Sequence, residues 1–219
     1  MPNQGAIRRW FDRTYAEKGL TYLRPATFYA IFMEYLGVRA GERLLDVGCG
    51  PGLLVGEALR LGAAGFGIDL SLTALAMARR RLPAARVACA NAEALPFRDG
   101  SFRHATCIGT LEHFLSTDGA LAEMCRVLAG GGAACIMVPN VRALKWRLEA
   151  KLLRVHDEDS HERAATFEEW RAVLVRSGFA VARIERDEWP RRPRRRRLLG
   201  GRYLVPLRWA NQYVFLLRR

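Results

Sequence analysis

Lysine is almost missing from this sequence: of 35 basic residues only Lys18, Lys145 and Lys151 are lysines, which leaves 35 − 3 = 32 arginines. Taken alone, that bias says little about function. Acidic residues are missing altogether from Trp189 to Arg219, a stretch that holds ten arginines. The net charge of +13 is therefore concentrated there, and residues 1–188 carry only 13 − 10 = +3. No apolar run approaches the ~18 residues of a spanning helix. Behind Met1-Pro2-Asn3-Gln4-Gly5 the chain runs into Arg8-Arg9-Trp10 without the apolar core of a signal peptide. The expected location is the cytoplasm. Cysteine is present five times, an odd count, and no pair has CxxC spacing, so a disulfide framework or a zinc site has little support. Cys89, Cys107, Cys125 and Cys135 sit among small apolar residues and are expected in the core. No internal repeat occurs, and the one low-complexity segment is Arg191–Arg197.

Half of the residues are hydrophobic, enough for a sizeable core in one domain. Short apolar runs alternate with helical patterns, which predicts an α/β layer fold with a mostly parallel sheet. Strands are expected at 43–47, 65–68, 86–89, 104–108, 134–138, 179–184 and 213–217, with helices near 53–61, 72–82, 118–128 and 167–177. Thr166-Phe167-Glu168-Glu169 reads as a capping box. Two helices are expected within 6–36. Residues 141–155 carry Val141, Leu144, Leu148, Leu152 and Val155 at helical spacing, ahead of the acidic, histidine-bearing stretch His156–Glu162. One structural domain results, with a helical cap at 1–40, a core at 41–140, an insertion at 141–165, and a segment 166–219 that completes the sheet and carries the basic run.

The strongest local signal is Leu44-Leu45-Asp46-Val47-Gly48-Cys49-Gly50-Pro51-Gly52. An apolar strand runs directly into glycines at alternate positions, where positive φ is allowed and a ligand can approach the backbone. The loop opens onto a helix, whose N-terminal amides suit an anionic group. Asp69, at the end of the second strand, is placed to accept hydrogen bonds from two ribose hydroxyls. Nicotinamide enzymes share that logic, but their fingerprint is GxGxxG. Here Gly52 comes one residue early, and Asp46 beside the loop suits a cationic amino-acid group rather than a pyrophosphate.

Leu44–Gly52 resembles motif I of class I S-adenosylmethionine-dependent methyltransferases. Asn91-Ala92-Glu93-Ala94-Leu95-Pro96-Phe97, Gly109-Thr110-Leu111-Glu112-His113-Phe114, Arg126–Gly132 and Val138-Pro139-Asn140 are similar to later segments of the UbiE-like small-molecule branch, in its order and spacing, across roughly residues 40–185. The resemblance implies a Rossmann-like three-layer sandwich with a mostly parallel seven-stranded sheet, and S-adenosylmethionine as cofactor. It implies a cofactor site of Asp46, Gly48, Cys49, Gly50, Gly52, Asp69, Leu70, Asn91, Ala92, Glu93 and Ile108. Arg126–Gly132 is expected to form the turn before the fifth strand. Three positions depart from the pattern: Asn91 for a usual Asp, Arg103 for an acid, and Gly130 for a frequent proline. Asn91 can still accept a hydrogen bond from an adenine amino group. Asp69→Ala is expected to weaken cofactor binding and leave the fold intact.

Methyl transfer from a sulfonium needs alignment above all, and an oxygen or nitrogen acceptor also needs a base. Candidates for that base are His113, His156, Asp157 and His161, of which His113 and His161 are taken as the catalytic pair and His113 is best placed. His113 is either that base or a ring packed on the sheet edge, and Tyr15 and Tyr22 either close over the cofactor or serve as packing aromatics. The stretch 156–162 reads as a metal site or as a solvated acidic loop; no metal site is assigned. The Asn/Asp-Pro-Pro-Tyr segment of amino-methylating nucleic-acid enzymes is absent after the fourth strand, so a nucleic-acid acceptor is disfavoured. The expected acceptor is a small molecule, or one linked to lipid or glycan. The arginine run 191–197 suits an anionic membrane surface met peripherally, RNA phosphates, or plain solvent. The alternative is a catalytically inactive methyltransferase-like module that holds RNA or membrane through this run, and insertion 141–165 is expected to shape and cover the acceptor pocket.

Overall fold

The computed structural model of the chain describes residues 3–143, 163, 165–187 and 210–219. Helix α1 (Gln4–Lys18) starts at Asn3, whose side-chain oxygen accepts the Ala6 N–H and so satisfies one amide that the first turn cannot. A 3-10 turn, Gly19–Tyr22, leads to α2 (Ala26–Leu36), which stops at Gly37 in the left-handed conformation. Then come β1 (Arg43–Val47), α3 (Leu53–Arg60), β2 (Ala64–Asp69), α4 (Leu72–Arg81), β3 (Arg86–Cys89) and β4 (Phe102–Ile108). A 3-10 turn at Leu111–His113 precedes α5 (Thr117–Val127), β5 (Leu128–Pro139), α6 (Phe167–Arg176), β6 (Ala180–Arg186) and β7 (Gln212–Arg218).

The seven strands lie in the order β3-β2-β1-β4-β5-β7-β6. Strands β1 to β5 pair in parallel, while β7 is antiparallel to both β5 and β6. The chain builds outward from β1 through β2 to β3, then returns to the other side of β1 for β4. The carboxyl ends of β1 and β4 therefore flank a crevice, the place where open α/β sheets hold their ligands. Side chains alternate across the sheet as the two-residue period requires. On β5, Ala134, Ile136 and Val138 join one core with α5 and α6, while Ala133, Cys135 and Met137 join another with α2 and α3.

The fifth strand departs from expectation. Arg126–Gly132 is not a free turn: α5 ends at Val127 and β5 begins at Leu128. Phe102 pairs with Leu128 and His104 with Ala133, so the extra residues on β5 are taken up in an irregularity of the register. Gly131 there has φ 69°, and its carbonyl accepts a bond from the Arg103 guanidinium at 2.9 Å. The cysteines also need correction. Cys107 and Cys135 are buried, but Cys89 is exposed on the edge strand, Cys125 is half-buried, and Cys49, the one set apart by sequence, is buried. All five are free thiols.

Asn140, fully buried after β5, ties several segments together. Its N–H donates to the Asn211 carbonyl at 3.1 Å and its side-chain amide to the Ala210 carbonyl at 2.8 Å. It also forms a parallel bridge with Ala165.

Candidate functional site

The glycine loop is shaped from both sides. Gly48 has φ 76°, and a Cβ there would lie 2.1 Å from Thr110 Cγ2. Gly50 has φ 50°, and its Cβ would lie 2.7 Å from the Tyr15 hydroxyl. Neither position admits a side chain. The Gly48 and Cys49 amides both donate to the Ile68 carbonyl, at 2.8 and 2.9 Å, which holds the loop against the end of β2.

Two carboxylates face the crevice. Asp69 Oδ2 accepts the Gly50 N–H at 2.7 Å, and Oδ1 accepts the Ser71 N–H at 2.8 Å. Burial raises the Asp69 carboxyl above its ordinary range, and these amide bonds oppose the rise. As a carboxylate it has acceptor capacity beyond these two bonds, which suits a ligand hydroxyl. Asp46 is buried and accepts the Thr106 hydroxyl at 2.7 Å. Burial pushes its carboxyl up to about 7, against the Thr106 bond and with the help of the Asp69 charge. Further along, the Asn91 side-chain oxygen accepts the Glu93 N–H at 3.0 Å, and the Glu93 carboxylate accepts the Ser116 N–H at 3.0 Å, which fixes the turn after β3.

The N-terminal helices roof this crevice. Phe11 meets His113 edge to face, with ring centres 5.2 Å apart, and stacks on Tyr15 at 6.3 Å. Tyr22 stands edge-on to Tyr15 at 5.7 Å. From α2, Tyr29 completes the wall; burial first, and then the charge of Asp46, push its phenol up to about 12. No lysine or arginine lines the pocket among the described residues, in a chain of net charge +13, whereas Asp46, Asp69 and Glu93 do.

Residues 45–136 match the family model described as a methyltransferase domain. A demethylmenaquinone methyltransferase of Tropheryma whipplei (strain Twist) is 36% identical over 129 residues, 58% of this chain and 53% of that protein. Over that segment the chain is similar to the class I S-adenosylmethionine-dependent methyltransferases of the UbiE-like branch. The chain spans about half the length of the curated relatives it matches. A Thermotoga maritima structure, described as a S-adenosylmethionine-dependent methyltransferase and possible histamine N-methyltransferase, shares the fold with a TM-score of 0.71. It is 19% identical, with 99% of each chain covered. The structure of the [4+2]-cyclase SpnF is similar over 73% of this chain and 58% of its own, at 25% identity and a TM-score of 0.62.

The fold brings most of the sequence-expected residues to one pocket. Asp46, Gly48, Cys49, Gly50, Asp69, Leu70, Asn91, Ala92, Glu93, Ile108 and His113 all line it, as do Tyr15 and Tyr22. Gly52 does not. It has φ 76° ahead of α3, and a Cβ there would meet Leu82 at 3.2 Å and Ala78 at 3.3 Å, so its smallness serves the contact between α3 and α4. The carboxylate of Asp69 also has a structural role that the sequence did not disclose, because Asp69→Ala would leave two loop amides without their acceptor. His161, His156, Asp157 and the run 191–197 lie outside the described residues. Sequence reasoning missed Gln4, Ile7, Phe11 and Tyr29 as lining residues. For α1 a signal existed: Ile7, Phe11 and Tyr15 recur every four residues on one helical face.

Proposed function

We propose that the chain transfers a methyl group from S-adenosylmethionine to a small acceptor bearing an uncharged, flat ring. The observation that supports this best is Asp46: a buried carboxyl with a single hydroxyl donor, raised to about 7, facing a pocket with no cation among the described residues. Such a group fits a ligand's ammonium. In this reading Asp46 holds the amino-acid end, Gly48–Gly50 present their backbone, and Asp69 takes the ribose hydroxyls. Asn91, Ala92 and Glu93 border the adenine, between Leu70 and Ile108. S-adenosylmethionine, when bound, supplies an electrophilic methyl carbon. The chain's own work is to align the acceptor and exclude water. His113, at the pocket wall, takes a proton from an oxygen or nitrogen acceptor. Phe11, Tyr15, Tyr22, Tyr29 and Phe114 offer flat apolar faces to a ring. The name of the Tropheryma relative points the same way, toward a quinone-type ring.

Calorimetric titration tests the cofactor. Saturable binding of S-adenosylhomocysteine without binding of NAD is expected; the reverse would overturn the reading. Formation of S-adenosylhomocysteine should then respond to hydroxylated quinols and catechols, and not to phosphorylated amines.

A lipid- or glycan-linked acceptor extends this proposal. Insertion 141–165 would cover the acceptor, with His161 as a further proton-transfer candidate, and the run 191–197 would meet an anionic membrane surface. In support, Val141, Ala165 and Ala210 are all held around Asn140, at the sheet end that bears the crevice. No described helix is long and apolar enough to cross a membrane. Each basic residue near an anionic surface contributes roughly 1 kcal/mol, screened over ~10 Å at 0.1 M salt. Sedimentation with anionic vesicles should therefore capture the protein at low salt and release it at high salt. Tight RNA binding with no vesicle association would instead favour the nucleic-acid alternative.

A further inference from the structure

Helix α1 reaches three walls of the pocket from one face. Phe11 meets His113 after β4, Tyr15 stands over Gly50 in the glycine loop, and Asp12 reaches the turn between β2 and α4. Asp12 does not line the pocket. Its Oδ1 accepts the Ser71 hydroxyl at 2.7 Å and the Thr73 N–H at 3.0 Å. Ser71 in turn donates its own N–H to Asp69, and Asp69 accepts the Gly50 N–H beneath Tyr15. A line of hydrogen bonds thus runs from Asp12 of α1 through Ser71 and Asp69 to Gly50, over which Tyr15 of the same helix stands.

We infer that Asp12 is a positioning residue for cofactor binding: it couples α1 to the turn that carries Asp69, so that the roof seats only on an ordered ribose-binding turn. The inference rests on the cofactor reading above. Capping alone does not account for Asp12. Ser71 already caps α4 by accepting the Ala74 N–H at 3.1 Å. The Thr73 amide could equally be satisfied by solvent at this half-buried site, yet a carboxylate from a segment 61 residues away in sequence takes it. Burial acts to raise the Asp12 carboxyl, but the bonds from Thr73 and Ser71 and the charge of Arg8, 3.5 Å away, bring it below its ordinary value. It is therefore ionised, and a strong acceptor, throughout the neutral range.

The test compares wild type with Asp12→Ala and Asp12→Asn, using calorimetric affinity for S-adenosylhomocysteine, its dissociation rate, and the melting temperature without ligand. Asp12→Ala should bind about tenfold more weakly, chiefly through faster dissociation. Asp12→Asn should recover most of the loss, because an amide oxygen still accepts both bonds. A drop in melting temperature with unchanged affinity and exit rate would make Asp12 a plain tether and overturn the inference. Absence of binding by wild type would instead sink the cofactor reading itself. Should Asp12→Ala fail to fold, hydrogen exchange on wild type decides. S-adenosylhomocysteine should slow exchange of α1 and of residues 71–75 together; protection of one without the other would overturn the coupling.

Discussion

Asp46 shows what a single residue contributes beyond its identity. Its carboxyl, at about 7, binds a proton more tightly in the fold than its ordinary value of 3.8 allows in the unfolded chain. Stability from the neutral form is thus full below the unfolded value and is lost as pH rises through about 7. Ligand binding runs in the opposite sense, because an ammonium selects the ionised form. Affinity for S-adenosylhomocysteine should weaken by about 25-fold in total as pH falls from about 7.5 to about 5.5, a range in which the ligand's amino group stays charged. Asp46→Asn should bind weakly and without this slope. A wild-type affinity that is level across the range would remove Asp46 from the amino-acid end. Asp46, Asp69, Gly48 and Gly50 were legible in the sequence, because a strand running into alternate glycines is a local pattern. The proton affinity of Asp46 was not legible, since it depends on Thr106 and on burial by distant elements. Cys89 misled for the same reason: its small apolar neighbours suit a core, but β3 is the last strand of the sheet, and strand order is not written in any one strand.

At the level of elements, α6 was readable before its surroundings were. The capping box at Thr166 is present, with the Thr166 hydroxyl accepting the Glu169 N–H and the Glu169 side chain accepting the Thr166 N–H. Its anchor on the sheet was not readable. Trp170 is fully buried, and its indole N–H donates to the Pro139 carbonyl at 3.0 Å. Proline at the end of β5 keeps a carbonyl but has no N–H of its own, so the helix supplies the donor across the layer. Trp170→Phe would leave that carbonyl without its partner and lower stability by about 1–3 kcal/mol. Urea unfolding monitored by circular dichroism checks this, and an unchanged midpoint would show that the carbonyl finds another donor. The long β5 was missed because the glycines at 130–132 read as a turn. In the fold they sit inside the strand, where the irregular pairing with β4 takes up the additional length.

For the whole molecule, the informative strand is the last. β7 lies between β5 and β6, antiparallel to both, and Tyr213 to Leu217 are buried. The sequence identified it as apolar but not as internal, because direction and neighbours emerge only when the other strands are in place. Removing residues 210–219 would expose the flank of β5 and detach β6. Such a truncation should lack a cooperative thermal transition, whereas wild type shows one; a truncated chain that melts cooperatively would show that the five parallel strands suffice. The same insertion has a consequence at Asn140. One buried residue after β5 holds Ala165, shortly before α6, and Ala210 and Asn211, just before β7. A single substitution at Asn140 should therefore loosen the approach to α6 and the approach to β7 together, although the two elements are far apart in the chain.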